Sequence, residues 1–298
     1  MGDFPAAEGL LLERGTPPWP DWLEEARLDD SIVDMAYEAT PPELRALVKT
    51  GLAMAFAHFG PREDQTDSVV RKPPAGFWIS RQLRPAPWCV VAIDAAYAAA
   101  ARVTAACVLP RLCDVPEVFA VLVGEDDEDV QPTDNTLTAL TLSGIDDVFC
   151  LSRERACALL GELAAQVADA EHGGPQGRLL LLHDGALQSL GEQAAALRIP
   201  YYEEKSAPQL TVLPGTACSA EALTFAHGEI VTSAALEPAT QAVLAALPTG
   251  GAMPPEGAVA EAMRRGLPVF GPGCEGFWLH PGLEPEFFMV RGMAAGML

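Results

Sequence analysis

The residues best placed for chemistry are His183, Asp184 and Gly185, at the end of the expected strand 178–184 and just before a helical stretch. An imidazole and a carboxylate at such a turn can hold a ligand or exchange a proton, and a helix start favours negative charge. The same two residues also have structural uses: Asp184 as the helix cap, and His183 as a semi-buried side chain with its hydrogen bonds met. Asp169 and His172 lie three apart at a helix end, on one face. With no third ligand beside them they read as a C-terminal cap rather than a metal site. The acidic run 125–129 reads as a solvated loop, since flexible carboxylates lack the fixed geometry a cation needs. His58, His227 and His280 are scattered and belong to no motif.

Familiar cradles are missing. No GxGxxG follows a strand, and neither GxxxxGK[ST] nor GxSxG occurs. Residues 271–276 have the glycines, but Phe277-Trp278-Leu279-His280-Pro281 follows, which is no helix start, so a turn is expected there. The seven cysteines (Cys89, Cys107, Cys113, Cys150, Cys157, Cys218, Cys274) include no CxxC and read as reduced, mostly buried thiols.

The elements that must position these groups follow from periodicity. Residues 22–37 read as a helix. Thr40, Pro41 and Glu43 have the spacing of a capping box, ahead of a helix with Leu44, Leu47, Val48, Leu52, Ala55 and Phe59 on one face and Gly60-Pro61 as its stop. A polar, proline-containing link spans 61–87. From Cys89 onward, strands at 89–94, 118–124, 148–151, 178–184, 209–213 and 229–232 alternate with helices. Those helices reach to about Leu109 and then cover 133–142, 153–168, 185–197, 219–226 and 237–246. The alternation means right-handed crossovers and largely parallel sheets. Ligands of such sheets bind beyond the carboxyl ends of the strands, at a switch point. Asp94, Ser152, His183, Asp184 and Gly185 are therefore the candidate ligand-binding residues; no catalytic residue is assigned and no metal site is expected.

Composition narrows the partners. The chain has 298 residues, 49% of them hydrophobic, which excludes a disordered polymer. Its 41 acidic and 19 basic residues give a net charge of -22, which argues against nucleic acid and an anionic membrane as partners. Residues 86–170 are the most acidic part, with 14 acidic and 4 basic residues. No stretch reaches the roughly 18 uninterrupted apolar residues of a membrane span; Arg102 interrupts the best candidate, 95–110. The first residues lack a basic segment and a long apolar one, so a soluble, cytoplasmic protein is expected.

The order of elements over about residues 40–245 resembles histidinol dehydrogenase, an aldehyde-dehydrogenase-like fold of two α/β lobes. The helix 43–60, the entry segment 81–94 and residues 142–160 carry the resemblance. It implies two Rossmann-like lobes with mostly parallel sheets: a helical region at 1–85 packing with the second lobe, a first lobe at 86–204, and a second lobe with the C-terminal tail at 205–298. It also implies NAD, Zn²⁺ and a homodimer.

The matching positions depart from the family's pattern. Asp94-Ala95-Ala96 stands where the family has Pro-Gly-Gly, and Ser152-Arg153 where it has Gly-Gly. His183-Asp184-Gly185 falls on its Gly-Pro-Gly-Asn turn, and Ala207-Pro208-Gln209-Leu210 on Gly-Pro-Ser-Glu. In chain order the zinc motif Gln-Ala-Glu-His falls on Ser233-Ala234-Ala235-Leu236, followed by Glu237-Pro238. A rival placement on Asp169-Ala170-Glu171-His172 keeps three letters but deletes a βαβ unit. The family's later Glu-His pair has no counterpart.

The expectation is a histidinol-dehydrogenase-like protein that has lost zinc- and NAD-dependent alcohol oxidation. It would bind a small molecule in the inter-lobe crevice, as a repurposed or non-catalytic protein with no bound cofactor; NAD enters only through the resemblance. The alternatives are an active NAD-dependent oxidoreductase on a small alcohol or aldehyde, and an unrelated α/β enzyme using His183 and Asp184. The aromatic stretch 276–298 either packs onto its own domain or forms a subunit interface.

Overall fold

The computed structural model describes residues 19–60, 77–126, 130–169, 176–204, 209–247 and 256–297. Residues 61–76 of the expected link, 127–129 of the acidic run and His172 lie outside the described residues. Continuous apolar runs become the interior strands, as burial on both faces requires. Strands β2 (Cys89–Asp94), β3 (Val118–Gly124), β4 (Val148–Ser152), β5 (Arg178–Leu182) and β6 (Tyr201–Glu204) form a parallel sheet in the order β4-β3-β2-β5-β6. β6 lies outside the expected strands, because four residues ending in two glutamates carry no apolar run. The chain moves outward from β2 to β4, then returns to the other side of β2 for β5 and β6. The switch point is therefore between β2 and β5.

Helices α3 (Ala100–Leu112) and α4 (Asp134–Leu142) cover one face, and α5 (Arg153–Asp169) and α6 (Gln188–Ala196) the other. α3 is buried along almost its whole length, Arg102 and Thr104 included. A helix apolar on every side belongs in a core, which accounts for the long Ala-rich stretch without a membrane. Among the described residues no helix is long and apolar enough to cross one.

The single helix expected at 22–37 is two elements: a 3-10 turn at Asp21–Ala26 and α1 (Asp30–Ala39). Arg27 leaves the helical path to bridge Phe149, the Leu28 N–H donates to the Val148 carbonyl at 2.8 Å, and Asp29 then caps α1. The capping box at Thr40 does not form either. The Thr40 hydroxyl donates to the Ala36 carbonyl and meets Thr138 Oγ1 at 2.7 Å, joining α1 to α4, and Pro41 precedes α2 (Pro42–Phe59) without a side-chain bond.

A second parallel sheet holds β7 (Gln209–Val212), β8 (Ile230–Thr232), β9 (Thr240–Leu244) and β10 (Val269–Phe270) in the order β10-β9-β7-β8, with α7 (Ala220–His227) and α8 (Gly257–Arg264). β9 overturns the helix expected at 237–246. Its composition is helical, but the segment lies between β7 and β10, and the buried Thr240 hydroxyl meets Thr211 Oγ1 at 2.8 Å. Tertiary pairing overrides local preference there.

The 61–87 link also contains a strand, β1 (Phe77–Pro85), paired antiparallel with β11 (Met289–Met297). The aromatic stretch packs within the chain, with Trp278, Phe288 and Met289 buried. The Arg178 guanidinium holds it, donating to the carbonyls of Phe287 and Met289. Gly51 of α2 meets Gly276 backbone to backbone: a Cβ on Gly51 would lie 1.8 Å from the Gly276 oxygen, so both segments depend on glycine here.

Candidate functional site

At the carboxyl edge of the first sheet, the turns after β2 and β5 and the starts of α4 and α5 each carry a side chain that accepts a backbone amide of its own segment. Asp94 accepts the Ala96 N–H at 2.9 Å. Thr133 accepts the Thr136 N–H at 3.3 Å at the start of α4. Ser152 accepts the Arg155 N–H at 3.4 Å at the start of α5. His183 Nδ1 accepts the N–H groups of Gly185 and Leu187, at 2.8 and 3.2 Å. The Thr136 and Arg155 amides are among the donors left unpaired at helix starts, whereas Ala96, Gly185 and Leu187 lie in the turns that precede α3 and α6.

Of the five expected ligand residues, Asp94 and His183 end adjacent strands and flank the switch point. Ser152 is separated from Asp94 by β3, about 10 Å at ordinary strand spacing. Asp184 is exposed and α6 has no side-chain cap; the turn before it is closed by His183, which is buried at 1% exposure. Gly185 has φ 118°, in glycine's own region. Because Nδ1 accepts two hydrogen bonds, the His183 proton sits on Nε2, 3.4 Å from Glu203 Oε1. The lone pair a general base would use is thus already engaged.

β6 points alternate residues to opposite faces. Tyr201 packs with the α5–α6 core and Tyr202 with the α3 core. On the Tyr201 side, Gly185, Gln188, Gly191, Glu192, Tyr201 and Glu203 line a cavity of about 320 Å³.

On the other side, Glu204 is buried against the C-terminal segment. Its Oε2 accepts from the Tyr97 hydroxyl at 2.5 Å, and its Oε1 lies 3.7 Å from His280 Nδ1. His280 Nε2 is 2.8 Å from the Arg102 carbonyl, which can only accept, so this nitrogen carries the proton. The Arg102 guanidinium lies 4.8 Å over the Trp278 ring, a cation–π contact. His227 of α7 packs 5.5 Å from the same indole and donates from Nε2 to the Glu275 carbonyl at 2.7 Å. Burial, helped by the Arg102 charge, lowers the His227 pKa to about 3. Burial also lowers that of His280, against the pull of Glu204. The Tyr97 phenol is pushed well up by burial and then by the Glu204 carboxylate.

This cluster joins α3 and β6 to α7 of the second sheet, with Trp278 and His280 filling the seam. Sequence reasoning missed it. Its histidines come from distant segments, and the one local signal was Arg102, a lone charge inside an apolar run.

The residues set against the zinc motif from sequence follow β8. Ser233 Oγ accepts the Ala235 N–H at 3.1 Å, Leu236 packs into the second sheet's core, and Glu237 is exposed. Among the described residues no three His, Cys, Asp or Glu side chains gather as a metal site.

No protein-family model matches the chain, and no curated protein matches it in sequence. Solved structures do resemble it. One is a histidinol dehydrogenase from Elizabethkingia anophelis, with a TM-score of 0.55 at 9% identity over 92% of this chain and 77% of that one. An indole-3-acetaldehyde dehydrogenase in apo form gives 0.41 at 11% identity, over 90% and 79%. PnpE from Pseudomonas sp. WBC-3 gives 0.38 at 14% identity, over 71% of this chain and 45% of its own. The first likeness establishes a dehydrogenase-like fold.

Proposed function

We propose that the chain is a histidinol-dehydrogenase-like scaffold that has lost zinc- and NAD-dependent alcohol oxidation and binds a small molecule without oxidising it. The observation that carries this reading is that Asp94, Thr133, Ser152 and His183 already accept backbone amides at the carboxyl edge of the first sheet. A dinucleotide pyrophosphate at a carboxyl edge takes its hydrogen bonds from helix-start amides. To bind here it would have to displace Thr133 or Ser152 from the amides at the starts of α4 and α5, or enter turns already closed by the Asp94 carboxylate and the His183 ring, in a chain of net charge -22. The seam between the sheets, where the reading from sequence put the ligand, is filled by Trp278 and His280. Of two cavities among the described residues, the one lined by Arg111, Asp114 and Asp147 lies at the amino ends of β3 and β4, and the one beside Glu203 borders the turn after β5, on the side where such sheets take ligands.

Thermal unfolding with NAD up to millimolar concentration, together with elemental analysis, tests the reading. An unchanged Tm and substoichiometric zinc are expected. A ligand at a hundred times its Kd stabilises a fold by about 2.7 kcal/mol, so a saturable rise in Tm with NAD would refute the proposal. So would NADH formation with histidinol or a small aldehyde.

A further inference from the structure

We infer that the ribbon formed by β1 and β11 docks on helix α1 of a second copy of this chain, while the ribbon of that copy docks on α1 of the first.

The ribbon is two strands of nine residues, and among the described residues neither pairs with a third strand. It starts against its own body, where Met289 is buried and Leu83 packs on the main core. It then runs out into solvent: Arg291 to Ala295 are all exposed, Met293 at 73%. Paired residues share a face, so Ile79, Leu83, Arg291, Met293 and Ala295 lie on one side of the ribbon. A two-stranded ribbon is marginally stable in water and gains stability by laying an apolar face on a helix.

Charge selects the helix. β1 and β11 contain three arginines and no acidic residue, in a chain of net charge -22. Two ribbons face to face would bring like charges together, whereas the acidic body of another copy attracts them. Helix α1 is acidic and contains no basic residue. Its Asp30, Asp34 and Glu38 form one exposed row at four-residue spacing. Ile32, Met35 and Ala39 form the row beside it, with Ile32 40% and Met35 61% exposed. Of the five large apolar side chains standing out into solvent among the described residues, two are on α1 and one is on the ribbon. Arginine beside methionine on the ribbon thus meets carboxylate beside methionine on the helix. Both methionines are exposed, so the chain does not cover them itself.

Each copy carries both surfaces, so a two-fold axis makes the contact twice and closes the pair. A nine-residue ribbon is about 30 Å by 10 Å, and two such contacts, counted on both sides, bury on the order of 1,200 Å², the lower limit for a stable interface.

Sedimentation equilibrium of the full chain tests the assignment, with substitutions confined to exposed positions and folding checked by circular dichroism. The parent should form a dimer with a micromolar Kd. M293D on the ribbon and M35D on α1 should each weaken it by about tenfold or more, because each buries an unpaired charge. R84E/R291E reverses the sign of the ribbon, and D34K/E38K reverses the row on α1; each variant alone should be monomeric. Mixed in equal amounts, the two should form a one-to-one heterodimer, since acidic ribbon then meets basic helix and basic ribbon meets acidic helix. A parent that stays monomeric at about 100 μM overturns the assignment. So does a dimer that survives M293D, or one that survives M35D and D34K/E38K, which would place the contact between ribbons or elsewhere. Failure of the mixed variants to associate overturns it as well.

Discussion

Glu203 and Glu204 are neighbours on one short strand, and each faces a buried histidine from a distant segment, His183 at 3.4 Å and His280 at 3.7 Å. Strand alternation sends them to opposite faces, and there the likeness ends. Glu203 looks onto a cavity, while its histidine is held by backbone amides of its own turn. Glu204 is sealed among Tyr97, Arg102, Trp278 and His280, at the seam where the two sheets' layers and the C-terminal segment meet. The same pair of side chains is thus left open to a ligand on one face and built into the fold on the other. What decides the difference is the third element: α6 follows the turn at Gly185 and carries Gly191, which leave space, whereas Trp278 fills it.

That contrast can be broken from the sealed side first. Trp278→Ala removes a side chain that is 2% exposed and touches Arg102, His227, Phe270 and His280. A truncation of this size in a core costs about 3–5 kcal/mol, so the urea midpoint should drop sharply. Tyr201→Ala on the open side should cost clearly less, because its ring already borders a cavity. Equal losses would mean that the two faces are packed alike.

The next pair compares the carboxylates directly. Glu204→Ala strands the buried Tyr97 hydroxyl, and leaving such a group unsatisfied costs about 1–3 kcal/mol. Glu203→Ala should cost about 1 kcal/mol or less, since its place opens onto the cavity, where water can meet the exposed His183 N–H. Equilibrium unfolding of both variants reads the difference, and a larger loss for Glu203→Ala would reverse the assignment of roles.

How much of this was legible depends on how local the signal was. β2 to β5 were readable because each is a near-continuous apolar run, and their ends named Asp94, Ser152 and His183 at once. Their use was not readable. A side chain after a strand can face a ligand or bend back onto its own amides, and the sequence is the same in both cases. β6 carries both sites yet has too few residues and too much charge to register as a strand. β9 read as a helix because only its neighbours, contributed from elsewhere in the chain, make it a strand. The seam draws on α3, β6, α7 and the C-terminal segment, so no window of sequence contains it.

The finest probe of the contrast is pH. His227 is buried and neutral, with its pKa lowered from 6.5 to about 3, chiefly by burial. Above pH 6.5 neither the folded nor the unfolded chain binds a proton at this residue, so its contribution is fully present. As pH falls from 6.5 towards about 3, the unfolded chain takes up the proton and the folded chain does not, so stability is lost. At its steepest the loss is about 1.4 kcal/mol per pH unit for one histidine. His280 acts in the same direction, since its pKa is lowered too. Carboxylates titrate in the lower half of that window, so the diagnostic is a difference between variants. His227→Gln can still donate to the Glu275 carbonyl but has no proton to gain, and its stability should fall less steeply than the parent's between pH 6.5 and pH 5. Parallel curves would show that the seam admits the proton in the folded state. It would then be an open site like the one beside Glu203, and the distinction between the two faces of β6 would disappear.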